Sequence, residues 1–113
     1  MRTIIAGSRD ITSHAAVVSA VGQCPWNITT VLSGRARGVD LLGERWAAEN
    51  GIPLELYPAN WNAYGKLAGF VRNIEMARKA EGLLAVWDGA SNGTRHMIRT
   101  AENHGLKTFI VRY

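Results

Sequence analysis

Five short apolar runs, separated by stretches of helical period, constrain this chain more than any other feature. The runs are TIIAG (Thr3–Gly7), ITTVLSG (Ile28–Gly34), PLELYP (Pro53–Pro58), GLLAVWDG (Gly82–Gly89) and KTFIVRY (Lys107–Tyr113). Three of them are nearly continuous in apolar residues, the pattern of parallel strands covered on both faces. Between the runs the apolar spacing changes to three and four. His14, Val17, Val18 and Val21 form one stripe, and Val39, Leu42 and Trp46 a second. Phe70, Val71, Ile74 and Ala77 form a third, and Thr94, Met97, Ile98 and Ala101 a fourth. Each stripe predicts an amphipathic helix. Gly51 and Gly105 read as helix exits. Strict alternation of strand and helix predicts an α/β three-layer sandwich with a five-stranded parallel sheet and right-handed crossovers.

Length and charge narrow the function classes. At 113 residues the chain is expected to form one domain, residues 1–113, with no linker, repeat or low-complexity segment. Its 47% apolar content excludes disorder. The net charge of +4 suits an anionic partner, although a small domain also carries such charge for solubility. Cys24 is the only cysteine, so no disulfide framework or cysteine zinc site is expected. His14, His96 and His104 show no metal-ligand spacing, and no metal site is expected; His14, on an apolar stripe, reads as a core histidine. No Ser–His–Asp arrangement is legible. The opening MRTIIAGSRD is too short in apolar residues for a signal peptide, and nothing reaches transmembrane length. A cytoplasmic chain with no membrane partner is the expectation.

In an open parallel sheet, ligands bind beyond the carboxyl ends of the strands, where the strand order reverses. Three strands here end in glycine-bearing turns: AGSRD, SGRARGVD and WDGASNGT. With the strand order 3-2-1-4-5, all three converge on one crevice. One such turn commonly does no more than terminate a strand; three at one sheet edge point to a site. Glycines let backbone amides approach an anion, and a following helix N-terminus adds favourable partial charge. Ser8, Ser33, Ser91 and Thr94 supply hydroxyls, and Arg9, Arg35 and Arg37 supply cations for phosphate. Neither the dinucleotide fingerprint nor the P-loop is present. Arg72 lies opposite the apolar stripe with Met76 and Lys79, where spacing alone favours a surface pair with Glu75. Trp61 and Tyr64, in the irregular stretch Pro58–Lys66, either stack on a base or pack beneath the loop.

Taken together, GSRD, SGRARGVD, PANWNAYGKLAGFVRN and WDGASNGT resemble the YspA-type branch of the SLOG superfamily, over essentially the whole chain and in matching order. The resemblance implies a Rossmann-like fold with a nucleotide or nucleotide-derived ligand above the strand ends. Superfamily relatives include the Lonely-guy phosphoribohydrolases, DNA-processing protein A and sensors of nucleotide signals. Carried over by position, Gly7, Ser8 and Arg9 form the first ligand turn. Ser33, Gly34 and Gly38, with Arg35 and Arg37 between, form the second. The segment Asp88–Thr94, including Gly89, Asn92 and Gly93, resembles the phosphate loop of the phosphoribohydrolases. VRNIEM resembles their arginine segment, which makes Arg72 and Asn73 site residues.

One departure bears on chemistry. The hydrolases continue their phosphate loop with a glutamate, and here Met97 stands in that place. A thioether neither activates water nor stabilises an oxocarbenium ion. The leading expectation is therefore a domain that senses or sequesters a phosphorylated nucleoside, a nucleotide or an NAD-derived molecule, with or without magnesium. The alternative is a hydrolase of the ligand's N-glycosidic or phosphoester bond, using Arg72 with Asp88 or Asp40. Single-stranded nucleic-acid binding is a third class and is not favoured. The resemblance also implies a homo-oligomer, a dimer or higher, and Trp46, Trp61 and Phe70 are expected at the surface.

Overall fold

The computed structural model describes residues 1–113. The chain forms β1 (Arg2–Gly7), α1 (His14–Gln23), β2 (Thr30–Ser33), α2 (Val39–Glu49), β3 (Leu54–Leu56), α3 (Trp61–Tyr64), α4 (Ala68–Lys79), β4 (Gly82–Trp87), α5 (Asn92–Asn103) and β5 (Lys107–Arg112). A single 3-10 turn, Gly65–Leu67, leads from α3 into α4. All five strands are parallel, in the expected order β3-β2-β1-β4-β5. No helix is long and apolar enough to cross a membrane.

The central strands β1 and β4 are buried on both faces, and alternate side chains feed two cores. Ile4, Ala6, Leu83 and Ala85 pack with Met76 and Ala77 of α4 and Met97, Ile98 and Ala101 of α5. Ile5, Leu84 and Val86 pack with Val17 and Ala20 of α1 and Val39 and Ala47 of α2. Each fully buried aliphatic side chain contributes about 1.5–3 kcal/mol, so both layers are held mainly by these contacts. Ser13 caps α1 by accepting from the Ala16 amide at 3.2 Å. Gly38 precedes α2 at φ +81°, and a β-carbon there would stand 2.6 Å from the Arg9 carbonyl oxygen. Glycine thus lets the β1–α1 turn lie directly against the start of α2.

The structure revises several details of the sequence reading. β3 is only three residues long, with Leu54 and Leu56 exposed, because an edge strand pairs on one side and Pro53 and Pro58 flank it. Its inward residue is Glu55, which receives both terminal nitrogens of Arg2 at 2.6 and 2.8 Å. The buried face of α4 is Ala68, Asn73, Met76 and Ala77, whereas Phe70 is exposed. That helix overlies the open end of the sheet, so part of its inner face meets a polar cavity rather than apolar core. His14 is no core residue. It opens α1 half-buried, with Nε2 2.9 Å from Glu49 Oε1. Trp46 packs against the α1/α2 core instead of forming open surface, and Val18 faces out. The stretch Pro58–Lys66 contains α3, capped by Asn60, whose Oδ1 accepts from the Ala63 amide at 3.0 Å.

Candidate functional site

The turns after β1, β2 and β4, closed over by α3 and α4, surround a cavity of about 400 Å³. In the first turn Ser8 is buried and works from beneath. Its amide donates to Val86 O at 3.1 Å, and its Oγ accepts from the Asp88 amide at 3.0 Å. Ser8 thereby fastens the first turn to the fourth strand's turn, while Gly7, Arg9 and Asp10 line the cavity.

The second turn divides its residues between support and wall. Ser33 is buried and donates to Glu44 Oε2 at 2.6 Å. Arg35, at φ +66°, pairs with the same carboxylate at 2.8 Å. Arg37 reaches the cavity and pairs with Asp10 at 3.1 Å, both largely in solvent. Gly34 and Arg35 face an adjoining recess of about 360 Å³ that shares Arg9, Arg37, Trp61 and Arg72 with the main cavity.

Asp88 belongs to the turn rather than to the cavity wall. Its Oδ1 accepts from the amides of Ala90 and Ser91 at 2.8 Å each, and these bonds hold its pKa down at about 2. Gly89, at φ +85°, packs against Arg112. Ser91, Asn92, Gly93 and Thr94 do line the cavity. α5 starts without a side-chain cap, and its first backbone bond runs from Arg95 N to Ser91 O at 3.1 Å. The amides of Asn92, Gly93 and Thr94 precede that bond and have no helical acceptor. They form the positive end of the α5 dipole beside the cavity.

α4 supplies a fixed cation. Arg72 is half-buried; Nη1 donates to the Gly34 carbonyl and Nε to Asn73 Oδ1 at 3.0 Å. The Asn73 amide in turn donates to His96 Nδ1 at 3.1 Å, which leaves the ring proton on Nε2. His96 stacks on Phe70 with ring centroids 4.0 Å apart, and burial pushes its pKa down. Asn73 is therefore the hinge that aligns Arg72 and ties α4 to α5. Burial also lowers the Arg72 pKa, opposed by Asp40 and reinforced by Arg9.

Asp40, on the first turn of α2, is buried against the same cavity. Its Oδ2 accepts from the Ala36 amide at 3.3 Å. Desolvation raises its pKa to about 6, opposed by Arg72 and by the amides of Ala36 and Gly7. The wall as a whole carries Arg9, Arg37, Lys66 and Arg72 against Asp10 and Asp40, an excess of cations. Met76 and Met97 form its buried apolar floor, and Trp61 and Phe70 stand exposed at its edge. No three His, Cys, Asp or Glu side chains converge as a metal site.

The cavity thus gathers Gly7, Arg9, Arg37, Trp61, Arg72, Asn73, Asn92, Gly93 and Thr94 from the sequence reading. Ser8, Ser33, Gly38, Asp88 and Gly89 lie behind the wall as supports, and Gly34 and Arg35 face the side recess. Lys66, Phe70 and Asp10 line the cavity without having been singled out as ligand contacts. Phe70 sits on an apolar stripe and reads as surface for self-association, and a lysine in an irregular segment carries no local signal at all. Asp40 was legible only as an alternative carboxylate.

Residues 1–64 match the model of the YspA, cpYpsA-related SLOG family. The chain is 38% identical over 115 residues to the Gene 61 protein of Mycobacterium phage D29, covering 93% of this chain and 91% of that one. It also resembles the solved structure of DNA processing protein A from Streptococcus pneumoniae, with a TM-score of 0.75 and 18% identity. That likeness, one of fold, covers 96% of this chain and 49% of the other, so the chain spans about half the length of the solved protein.

Proposed function

The chain belongs to the YspA, cpYpsA-related SLOG family, and from that premise we propose that it binds a phosphorylated nucleoside, a nucleotide or an NAD-derived molecule in this cavity. Membership of the family points to binding or processing of a nucleotide ligand. One observation carries the finer reading. The uncapped N-terminus of α5 lies on the same cavity as Arg72, Arg9 and Lys66. Free helix amides and the fixed Arg72 guanidinium, with Arg9 and Lys66 on the same wall, together suit phosphate, each charged hydrogen bond being worth about 1.5–3 kcal/mol. Trp61 and Phe70 offer flat apolar faces for a base. A volume of about 400 Å³ lies in the range of small-molecule sites. Mass spectrometry of ligand released from the purified protein, followed by calorimetric titration, tests the reading. Recovery of a nucleotide or saturable binding of a nucleoside monophosphate or NAD supports it. Absence of both overturns it.

Hydrolysis of that ligand is a second reading, favoured by the position of Asp40. Asp88 is engaged by two backbone amides and stays ionised, which unfits it for proton transfer near neutrality. Asp40 lines the cavity and titrates near pH 6. Chromatography after hours with nucleoside monophosphates, NAD and cyclic dinucleotides, with and without magnesium, separates the readings. Intact ligand supports a binder; free base or dephosphorylated product that disappears in Asp40→Asn supports an enzyme.

A further inference from the structure

Asp40 poses a problem for an anion site. A buried carboxylate on the wall repels phosphate and costs folding energy, so its place needs a reason. Its local bonding does not supply one. Oδ2 accepts from the Ala36 amide at 3.3 Å and the Gly7 amide steadies the same carboxylate, but no side chain donates to it, and the group lines the cavity. Nor is the charge consumed by an ion pair: Arg72 directs Nη1 to the Gly34 carbonyl and Nε to Asn73. A side chain that merely favoured the α2 dipole would do so more cheaply in solvent.

The layers of the fold suggest what reaches this carboxylate. Asp40 stands with α2 on one side of the sheet, and the α5 amides stand with α4 and α5 on the other. The cavity passes between them over the end of β1, at Ala6 and Gly7. A phosphate seated on α5 leaves the next part of its ligand crossing β1 toward Asp40. The aromatic edge at Trp61 and Phe70 takes the flat base, so the part at Asp40 is the sugar. Resting on the nucleotide reading above, we propose that Asp40 recognises the ligand's sugar, its carboxylate accepting from a ribose hydroxyl, and makes the site selective for ribosyl phosphates over deoxyribosyl ones.

Calorimetric titration at about pH 7.5 with AMP, 2′-deoxy-AMP, 3′-deoxy-AMP and ribose 5-phosphate tests this, on the wild type and on Asp40→Asn and Asp40→Ala checked for folding by thermal melt. In the wild type at least one deoxy ligand is expected to bind about tenfold or more weakly than AMP, the scale of one charge-assisted hydrogen bond. In the folded Asp40 variants that gap closes. Equal binding of AMP and both deoxy ligands by the wild type overturns the sugar assignment and leaves nucleotide binding standing. Discrimination that survives in both variants assigns the sugar contact to another residue and overturns it equally. Failure of AMP and ribose 5-phosphate alike to bind removes the assignment together with the nucleotide reading for these probes.

Discussion

Asp40 and Arg72 meet at Gly34 without pairing: a β-carbon there would stand 2.9 Å from Asp40 Oδ2 and 2.8 Å from Arg72 Nη1. The carboxylate comes from α2 and the guanidinium from α4, helices on opposite faces of the sheet. A glycine at the end of β2 leaves room for both, and each keeps hydrogen-bonding capacity toward the cavity.

Gly34→Ala should therefore harm the site more than the fold. The atoms a methyl group would meet belong to the Arg72 and Asp40 side chains, which can shift, loosening the Arg72 bonds without breaking them, at a stability cost of roughly 1 kcal/mol. The displaced Arg72 and Asp40 would no longer face the ligand correctly. Nucleotide affinity is expected to fall about tenfold or more while the melting temperature changes by only a few degrees, read by calorimetry and thermal melts.

Two of the arginines on the cavity wall, Arg9 and Arg72, should differ in kind. Arg9 makes no hydrogen bond within the protein, so Arg9→Ala should weaken nucleotide binding by about 1.5–3 kcal/mol with little effect on folding. Arg72→Ala should weaken binding by a similar amount and also destabilise, by about 1–3 kcal/mol, because the Gly34 carbonyl and Asn73 Oδ1 lose their donor. Titrations and denaturation midpoints on both variants check this; a stability loss in Arg9→Ala equal to that in Arg72→Ala would contradict it.

Asp40 should make the free protein less stable as pH rises. Its pKa is about 6 in the fold against 3.8 for the exposed group, so the folded state holds the proton more tightly. Protonation favours the fold, and its stabilising effect is present below about pH 4 and lost as pH rises through about 6. At about 1.4 kcal/mol per pH unit the loss is on the order of 2–3 kcal/mol. Asp40→Asn should raise the melting temperature at pH 7 and leave it unchanged near pH 3.5. An unchanged or lower value at pH 7 would count against a desolvated carboxylate.

Glu55 should act in the opposite sense at lower pH. The hydrogen bonds from Arg2, then that from Tyr57, hold its pKa at about 2 against 4.5 for the free group. Its stabilising effect is present above about pH 4.5 and lost as pH falls toward 2. Arg2→Ala should lower stability at neutral pH and shrink the difference from wild type near pH 2. Denaturant midpoints across that range read the effect, which surface exposure and salt keep small.

Strand count, the strand–helix alternation and the edge that bears the candidate site were legible in the sequence, because each depends on local periodicity and on where glycines interrupt it. Turns at Gly7, Gly34 and Gly89 follow β1, β2 and β4 whatever else surrounds them. The roles of individual side chains were not legible in this way. Ser8 and Ser33 are hydroxyls in glycine turns and read as phosphate donors, yet they bind Asp88 and Glu44, partners 80 and 11 residues away. Asp88 reads as a ligand contact and is claimed by amides two and three residues on. Met76, read as lying opposite the apolar stripe, is buried instead because α4 spans both core and cavity. Hydrophobic period reports that a helix has an inner face, but not whether that face meets apolar packing or a polar void. Only the docking of α4 across the strand ends brought Arg72, Asn73 and Asp40 to one cavity. Hydrogen bonds and desolvation depend on distances through space, and those distances are set when the layers close.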